Sequence, residues 1–110
     1  MTNQRTQHDA RDIGDDLKII ETTRQAAGAG TWVIGTVAGH KFNALVFPEH
    51  AENPDYELFN SRVSKLWIQR LDDETTVVNF DRGWDVLPVN PRANDIMHFL
   101  LAGVADSVYA

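Results

Sequence analysis

At 110 residues the chain is long enough to form one hydrophobic core, and its 43% apolar and 24% charged residues exclude a wholly disordered or fibrous protein. It has no cysteine, which excludes a disulfide framework, a thiolate metal site and a cysteine nucleophile. The net charge of −6 opposes binding to a phosphate backbone unless the few cations are gathered in one patch.

The chain starts with a polar segment, residues 1–11, which we expect to be frayed, while residues 12–110 are expected to form a single domain. This start lacks the basic and then apolar pattern of a signal peptide. No apolar run approaches the roughly 20 residues that a membrane-spanning helix needs. We therefore expect a soluble, cytoplasmic protein.

Residues 12–27 predict a first helix. Ile13, Leu17 and Ile20 recur at three- and four-residue spacing, and Arg24 continues the same stripe, so they would share one face of a helix. The glycines of the following "GAG" stretch are typical of a helix end.

The stretch "TWVIGTVAGHKFNALVFPE" predicts a β-hairpin that turns at Gly39, because two β-rich runs flank a residue that adopts positive φ without strain. Alternation of side chains places an entirely apolar set on one face, which should be the core face: Val33, Gly35, Val37, Phe42, Ala44 and Val46. The other face should carry Trp32, Ile34, Thr36, Asn43, Leu45 and Phe47.

A polar loop over residues 48–60 leads to a second predicted hairpin, whose strands lie on either side of "DDET". The core face of this hairpin should carry Leu66, Ile68, Val78 and Phe80. A second helix is predicted from about Arg92 to Val108, capped by Asn90 or Asn94. Its buried stripe should be Ile96, Phe99, Leu100 and Val104.

Together these elements predict an α+β fold in which a four-stranded antiparallel sheet of two hairpins is flanked by an N-terminal and a C-terminal helix. A simple meander is the expected strand order. The sheet face opposite the core should display Trp32, Leu45, Phe47, Lys65, Trp67, Gln69, Val77, Asn79 and Asp81.

This second face mixes two indoles with cationic, amide and acidic groups, a composition that protein interfaces favour. We interpret it as a surface that binds a protein, either a second copy of the chain or a foreign partner. Two arrangements would instead make the tryptophans ordinary core residues. The helices could lie on opposite faces, or the loop over residues 48–60 could fold over Trp32 and Phe47.

Catalytic residues, metal ligands and cofactors are not predicted. His40 at the hairpin turn and His50 in the acidic loop would form a metal site only if they met at one end of the sheet, and no ligand spacing supports this. A small metal-dependent enzyme is therefore the weakest interpretation. Asp81, Arg82 and Asp85 in "FDRGWD" are better explained as structural ion pairs than as an acid/base pair.

Nucleic-acid binding is the alternative to protein binding. Lys65, Trp67 and Arg70, with Lys41 and Arg62, could line one edge and stack on a base, although the net charge and the absence of RNA-binding signatures oppose it. The acidic runs over residues 49–57 and 72–74 would suit mimicry of DNA, but solvated loops explain them equally well.

The stretches "GTVAGHKFNALVFPE", "RVSKLWI" and "NFDRGWD" together resemble a small family of uncharacterised domains of phages, prophages and bacterial mobile regions. The resemblance spans about Trp32 to Pro88, and the loop "HAENPDYELFNS" departs from the shorter segment expected there. The resemblance implies no activity. It implies a small accessory protein of a mobile element that modulates a host protein. From the second face of the sheet we interpret the protein as a non-enzymatic interaction module, and a homodimer through that face is the leading form because a self-complementary patch closes a two-fold pair.

Overall fold

The computed structural model describes residues 13–26 and 28–109, and its architecture is one antiparallel sheet followed by one helix. The expected frayed segment, residues 1–11, lies outside the described residues. The sheet has six strands in the simple order of the chain. They are β1 (Lys18–Arg24), β2 (Thr31–Val37), β3 (His40–Val46), β4 (Val63–Arg70), β5 (Thr76–Asp81) and β6 (Trp84–Val86), followed by helix α1 (Pro91–Tyr109).

The α+β class, the antiparallel sheet and the C-terminal helix are confirmed, but the predicted N-terminal helix is wrong. Its residues form a turn at 13–16 and then β1, which pairs with β2. Four of the seven residues in "KIIETTR" are β-branched, which favours a strand over a helix. The glycines of "GAG" belong to the β1–β2 connection, where Gly28 and Gly30 have φ of 83° and 88°.

Gly35 of β2 allows β1 to lie against the sheet. A Cβ at this position would be 2.3 Å from the carbonyl oxygen of Lys18 and 2.9 Å from the ring of Phe42. The close approach coincides with a bulge in β1, where the register with β2 shifts between Ile19 and Glu21. Because Gly35 has no side chain, it leaves the space that β1 needs to pair with β2.

The first predicted hairpin is confirmed, with Val37 paired to His40 across a two-residue turn of Ala38 and Gly39. Both turn residues have positive φ, 52° and 75°, as the tightest hairpin turns require. All six residues predicted for its core face are buried.

The second hairpin is confirmed as β4 and β5, and a sixth strand extends the sheet after a turn at Arg82 and Gly83. Val77, predicted on the second face, is fully buried and belongs to the core. The register between β4 and β5 shifts after Ile68, so Val77 is the extra residue of a bulge.

Helix α1 packs on one side of the sheet, here called the helix side, across β2 to β5. Asn90 caps it, since its side-chain oxygen accepts a hydrogen bond of 2.8 Å from the backbone N–H of Ala93. Phe99 is 37% exposed, so its predicted place in the buried stripe is wrong. The residues of α1 that are buried are Ala93, Ile96, Met97, Leu100, Val104 and Ala105.

The loop over residues 48–60 lies on the helix side as well. Leu58 is 2% exposed and part of the core that α1 covers, and Phe59 stacks on His98 of the helix with ring centroids 5.6 Å apart. Of the described residues, therefore, neither α1 nor Leu58 and Phe59 of the loop covers the opposite side of the sheet. Among the described helices none is long and apolar enough to cross a membrane.

Candidate interaction face

The side of the sheet opposite α1 is here called the tryptophan face. The strand register arranges its residues in rows that run across the strands. One row runs from Trp32 through Leu45 and Lys65 to Asp81. The next row runs from Ile34 through Asn43, Trp67 and Asn79 to Val86, and a third contains Thr36, Lys41, Gln69 and Thr76. The two indoles therefore lie in adjacent rows, separated by β3.

Neither indole is fully buried. Trp32 and Trp67 are both partly exposed, whereas Leu45 between them in the sheet is only 5% exposed. Leu45 lies directly opposite Trp32 on one side and Lys65 on the other, so its neighbours on the face shield it. The partly exposed groups around the buried Leu45 are the two indoles and Lys65.

Both indole nitrogens have partners within the chain. Trp67 Nε1 donates to Thr76 Oγ1 at 3.2 Å. With the Gln25 amide oriented to satisfy its neighbours, its oxygen accepts from Trp32 Nε1 at 2.8 Å. These bonds fix the planes of the rings, so an incoming partner would meet apolar ring surface without having to satisfy an indole N–H.

The charges of the tryptophan face are nearly balanced. Lys65 Nζ lies 3.5 Å from a carboxylate oxygen of Asp81, directly across β4 and β5. Lys18, Glu21 and Lys41 share the same side through their pairing with β2 and β3. The face therefore carries three lysines against two carboxylates, although the whole chain has a net charge of −6.

The structure places most, but not all, of the predicted surface residues together. Phe47 lies one residue beyond β3, and its ring packs 3.0 Å from the position of a Cβ on Gly30, at the end of the sheet. Trp84 pairs with Phe80 on the helix side of the sheet, with their ring centroids 5.3 Å apart. The third tryptophan is therefore separate from the tryptophan face.

The cations proposed for nucleic-acid binding are not gathered on one surface. Arg70 pairs with His40 on the helix side of the sheet, and its guanidinium makes two hydrogen bonds of 3.1 and 3.2 Å with Asp73. Those bonds hold the pKa of Asp73 down at about 2. Arg62 bonds Asp106 of α1 and the carbonyl oxygen of Pro48. Lys65, Trp67 and Arg70 therefore do not form a shared basic surface.

The two histidines of the proposed metal site lie at opposite ends of β3. His40 is the first residue of that strand and His50 lies four residues beyond its end, which separates them by roughly 20 Å along the strand. His40 Nδ1 lies 2.7 Å from the carbonyl oxygen of Ala38. Within residues 13–26 and 28–109, no three His, Cys, Asp or Glu side chains are grouped as metal ligands.

His50 has a different partner, the buried carboxylate of Glu57. Nδ1 of His50 lies 2.8 Å from one carboxylate oxygen, and the backbone N–H of Ala51 donates to the other at 2.7 Å. Burial raises the pKa of Glu57, but hydrogen bonds from Ala51, Arg62 and His50 outweigh burial and hold the pKa below its usual value. An ionised carboxylate only accepts, so Nδ1 of His50 carries the proton.

Glu57, Ser64 and Arg82 border a cavity that the sequence did not indicate. The sequence pattern predicts that Glu57 lies in a solvated acidic loop and that Arg82 lies in a turn. Ser64 lies inside a strand, where the pattern indicates no binding role. The sequence signal closest to this site is the glycine after Arg82, which marks the turn.

Comparison with known proteins gives a family but no activity. No curated protein and no solved structure shows a significant match to the chain. A family model described as a domain of unknown function, DUF7678, matches residues 31–105, which comprise β2 to β6 and most of α1. The match supports the resemblance to an uncharacterised domain family and extends it into the helix. The chain therefore belongs to the DUF7678 family of domains of unknown function.

Proposed function

We propose that the protein is a non-enzymatic interaction module that forms a homodimer through its tryptophan face. The observation that carries this proposal is the pair of partly exposed indoles, Trp32 and Trp67, on the side of the sheet that α1 does not cover. Exposed aromatic surface of this kind usually marks an association site, because burying it on contact is favourable.

A second copy of the chain is the partner that the charges favour. Two copies that each carry a net charge of −6 repel one another over most of their surfaces. The tryptophan face avoids this repulsion, since its lysines and carboxylates nearly balance and Lys65 is already paired with Asp81. In a dimer with a two-fold axis through this face, the indoles of each copy would contact the tryptophan face of the other copy.

The size of the face sets the expected strength of the dimer. Strands about 4.8 Å apart and about 20 Å long give the exposed face a projected area on the order of 400 Å². Stable interfaces bury about 800 Å² on each partner. We therefore expect a weak dimer whose population depends on the protein concentration.

The cellular setting is part of the same proposal. The resemblance of the "RVSKLW" and "NFDRGWD" stretches to domains of phages and mobile regions supports a cytoplasmic accessory protein of a mobile element. In that setting the tryptophan face would modulate a host protein by exchanging the second copy for the host partner.

Nucleic-acid binding through Lys65, Trp67 and Arg70 has less support. Arg70 lies on the helix side and is bonded to Asp73, and Lys65 is paired with Asp81. Binding to a phosphate backbone would have to break both ion pairs.

Sedimentation equilibrium between about 10 µM and about 1 mM tests the dimer, since its population must rise with concentration. The wild type should approach twice the 12.4 kDa mass of the chain. Trp67→Ala should remain monomeric. Trp84→Ala is the matched control, because it removes an exposed tryptophan from the helix side and should dimerise like the wild type. A wild type that stays monomeric at the highest concentration would contradict the proposal.

A further inference from the structure

A cavity of about 460 Å³ lies at the end of the sheet, between the loop over residues 48–60 and the turn that joins β5 to β6. Its walls combine polar and aromatic groups. The residues that line it include Phe47, Tyr56, Glu57, Ser64 and Arg82, and it is here called the Ser64 cavity.

Ser64 supplies the first indication of a ligand. It is 7% exposed, and its hydroxyl oxygen is buried without a hydrogen-bond partner among the described residues. A buried hydroxyl that makes no hydrogen bond costs free energy, so native structures seldom leave one unpaired. Ser64 is one of the residues that line the cavity, where a bound molecule would supply the missing partner.

A bulge aims Ser64 at the cavity. Lys65 pairs with Leu45 and Val63 pairs with Val46, so Ser64 is the extra residue between two neighbouring pairs of β3 and β4. Bulges of this kind redirect a side chain and are frequent beside binding sites. Without the bulge, strict alternation along β4 would place Ser64 on the helix side of the sheet with Leu66.

Arg82 supplies the positive charge. Its backbone N–H donates to the carbonyl oxygen of Ser64 at 3.1 Å, which fixes the arginine beside the serine. Arg82 has φ of 57°, a strained value for a residue other than glycine. Within the part of the chain that the structure describes, the guanidinium of Arg82 has no ion pair, whereas that of Arg62, also at this cavity, is bonded to Asp106.

The acidic residue inside the cavity wall does not compete for Arg82. Both carboxylate oxygens of Glu57 already accept hydrogen bonds, from Ala51 and His50. Glu49 also borders the cavity but is exposed to solvent. The guanidinium of Arg82 is thus available to an anion that enters the cavity.

Two aromatic side chains form part of the remaining wall. Phe47 is partly buried and Tyr56 is half exposed, and both line the cavity with Pro48. Aromatic walls favour a planar apolar group, and a guanidinium favours a carboxylate, which it binds with two parallel hydrogen bonds. A ligand that satisfies both would carry a single carboxylate on a small flat body.

We propose that the Ser64 cavity binds a small aromatic carboxylate. Arg82 pairs with the carboxylate, the hydroxyl of Ser64 donates to one of its oxygens, and the ring of the ligand lies against Phe47 and Tyr56. This site is separate from the tryptophan face, so the proposed binding of a carboxylate does not depend on whether the protein dimerises through that face.

Benzoate is the probe, and benzamide, which has the same shape without the charge, is the matched ligand control. Titration of ¹⁵N-labelled protein with benzoate should give saturable shifts of the amide signals of Ser64, Arg82 and their neighbours. Benzamide should bind roughly tenfold more weakly, since it cannot form a charge-assisted pair with Arg82.

Two variants locate the site. Arg82→Gln should weaken benzoate binding by roughly tenfold, and Ser64→Ala by roughly threefold. Arg70→Gln removes one positive charge from the opposite end of β4, away from both the cavity and the tryptophan face, and should leave the affinity for benzoate unchanged. The proposal is overturned if benzoate gives no saturable shifts near Ser64, or if Arg70→Gln weakens binding as much as Arg82→Gln does.

Discussion

Thr76 Oγ1 accepts a hydrogen bond of 3.2 Å from Trp67 Nε1, and this contact between neighbouring strands fixes the plane of an indole on the open side of the sheet. Thr76 lies beside the bulge that sends Val77 into the core. The same irregularity of β5 therefore buries one residue and orients the tryptophan next to it. A strand without the bulge would not present this hydroxyl to Trp67.

Thr76→Val should destabilise the protein by about 1 kcal/mol, because it removes the acceptor of the Trp67 N–H and keeps the β-branched shape. The indole should then become more mobile, which ¹H–¹⁵N spectra of its side-chain N–H would show as a shifted and broadened signal. Urea denaturation measures the free energy of unfolding. Thr36→Val, on the same face but on β2, is the control and should change neither quantity.

Gly35→Ala should be among the most damaging single substitutions in the chain. The added methyl would lie 2.3 Å from a backbone carbonyl and 2.9 Å from the ring of Phe42, so either β1 or the ring must move. We expect a loss of at least about 3 kcal/mol, or detachment of β1 from the sheet. Amide hydrogen exchange in β1 distinguishes these outcomes.

Gly103→Ala is the matched control for Gly35→Ala. Gly103 lies inside α1 and has no atom within 4 Å of its Cβ position. Alanine stabilises a helix interior by up to about 1 kcal/mol relative to glycine, so the melting temperature should rise. If Gly35→Ala were as well tolerated as Gly103→Ala, the close approach of β1 to Gly35 would be wrong.

The lowered pKa of Glu57 predicts a dependence of stability on pH. The carboxylate is bound more tightly in the folded chain than in the unfolded chain, so its contribution is fully present above the usual value of 4.5 and is lost as the pH falls through the lower folded value. Glu57→Gln should remove this part of the acid sensitivity. Urea denaturation at several values between roughly pH 3 and pH 7 measures how the free energy of unfolding of each protein depends on pH.

Glu52→Gln tests whether that effect belongs to Glu57. Glu52 lies in the same loop and is exposed. Its substitution should leave the pH profile of stability as in the wild type. A profile for Glu57→Gln that matches the wild type would show that the buried carboxylate contributes no acid sensitivity.

Asn90→Ala should cost about 1 kcal/mol, because the Asn90 side chain caps the N-terminus of α1 through the N–H of Ala93. Asn94 lies inside the helix, where alanine is the better helix former, so Asn94→Ala should be neutral or slightly stabilising. The melting temperatures of the two variants, measured by thermal unfolding, show which of the two asparagines caps the helix. Equal destabilisation would mean that the cap is not specific to Asn90.

Residues 31–86 were largely predictable from sequence because their information is local. Strict alternation along "VIGTV" and "KFNALV", with a glycine between them, predicts both the hairpin and its buried face. The first strand was not predictable in this way. The spacing of Ile13, Leu17 and Ile20 fits a helix, and the strand prevails because β2 offers backbone partners and Gly35 offers space.

The tryptophan face could be predicted from local sequence, whereas the Ser64 cavity could not. Alternation by itself places Trp32 and Trp67 on the side opposite the core. It does not place Val77 or Ser64, since a bulge shifts the alternation and depends on the partner strand. The Ser64 cavity was likewise beyond prediction, because its walls come from segments that are distant along the chain.

The amino-acid sequence alone determined the two hairpins, the last helix and most of the side-chain alternation along β2 to β5, because hydrophobic periodicity and turn residues act over a few neighbouring positions. Only the tertiary structure decided which side of the sheet α1 covers, that β1 joins the sheet, and that Arg82 lies beside Ser64. Those relationships depend on backbone pairing and close packing between segments that meet only in the folded chain.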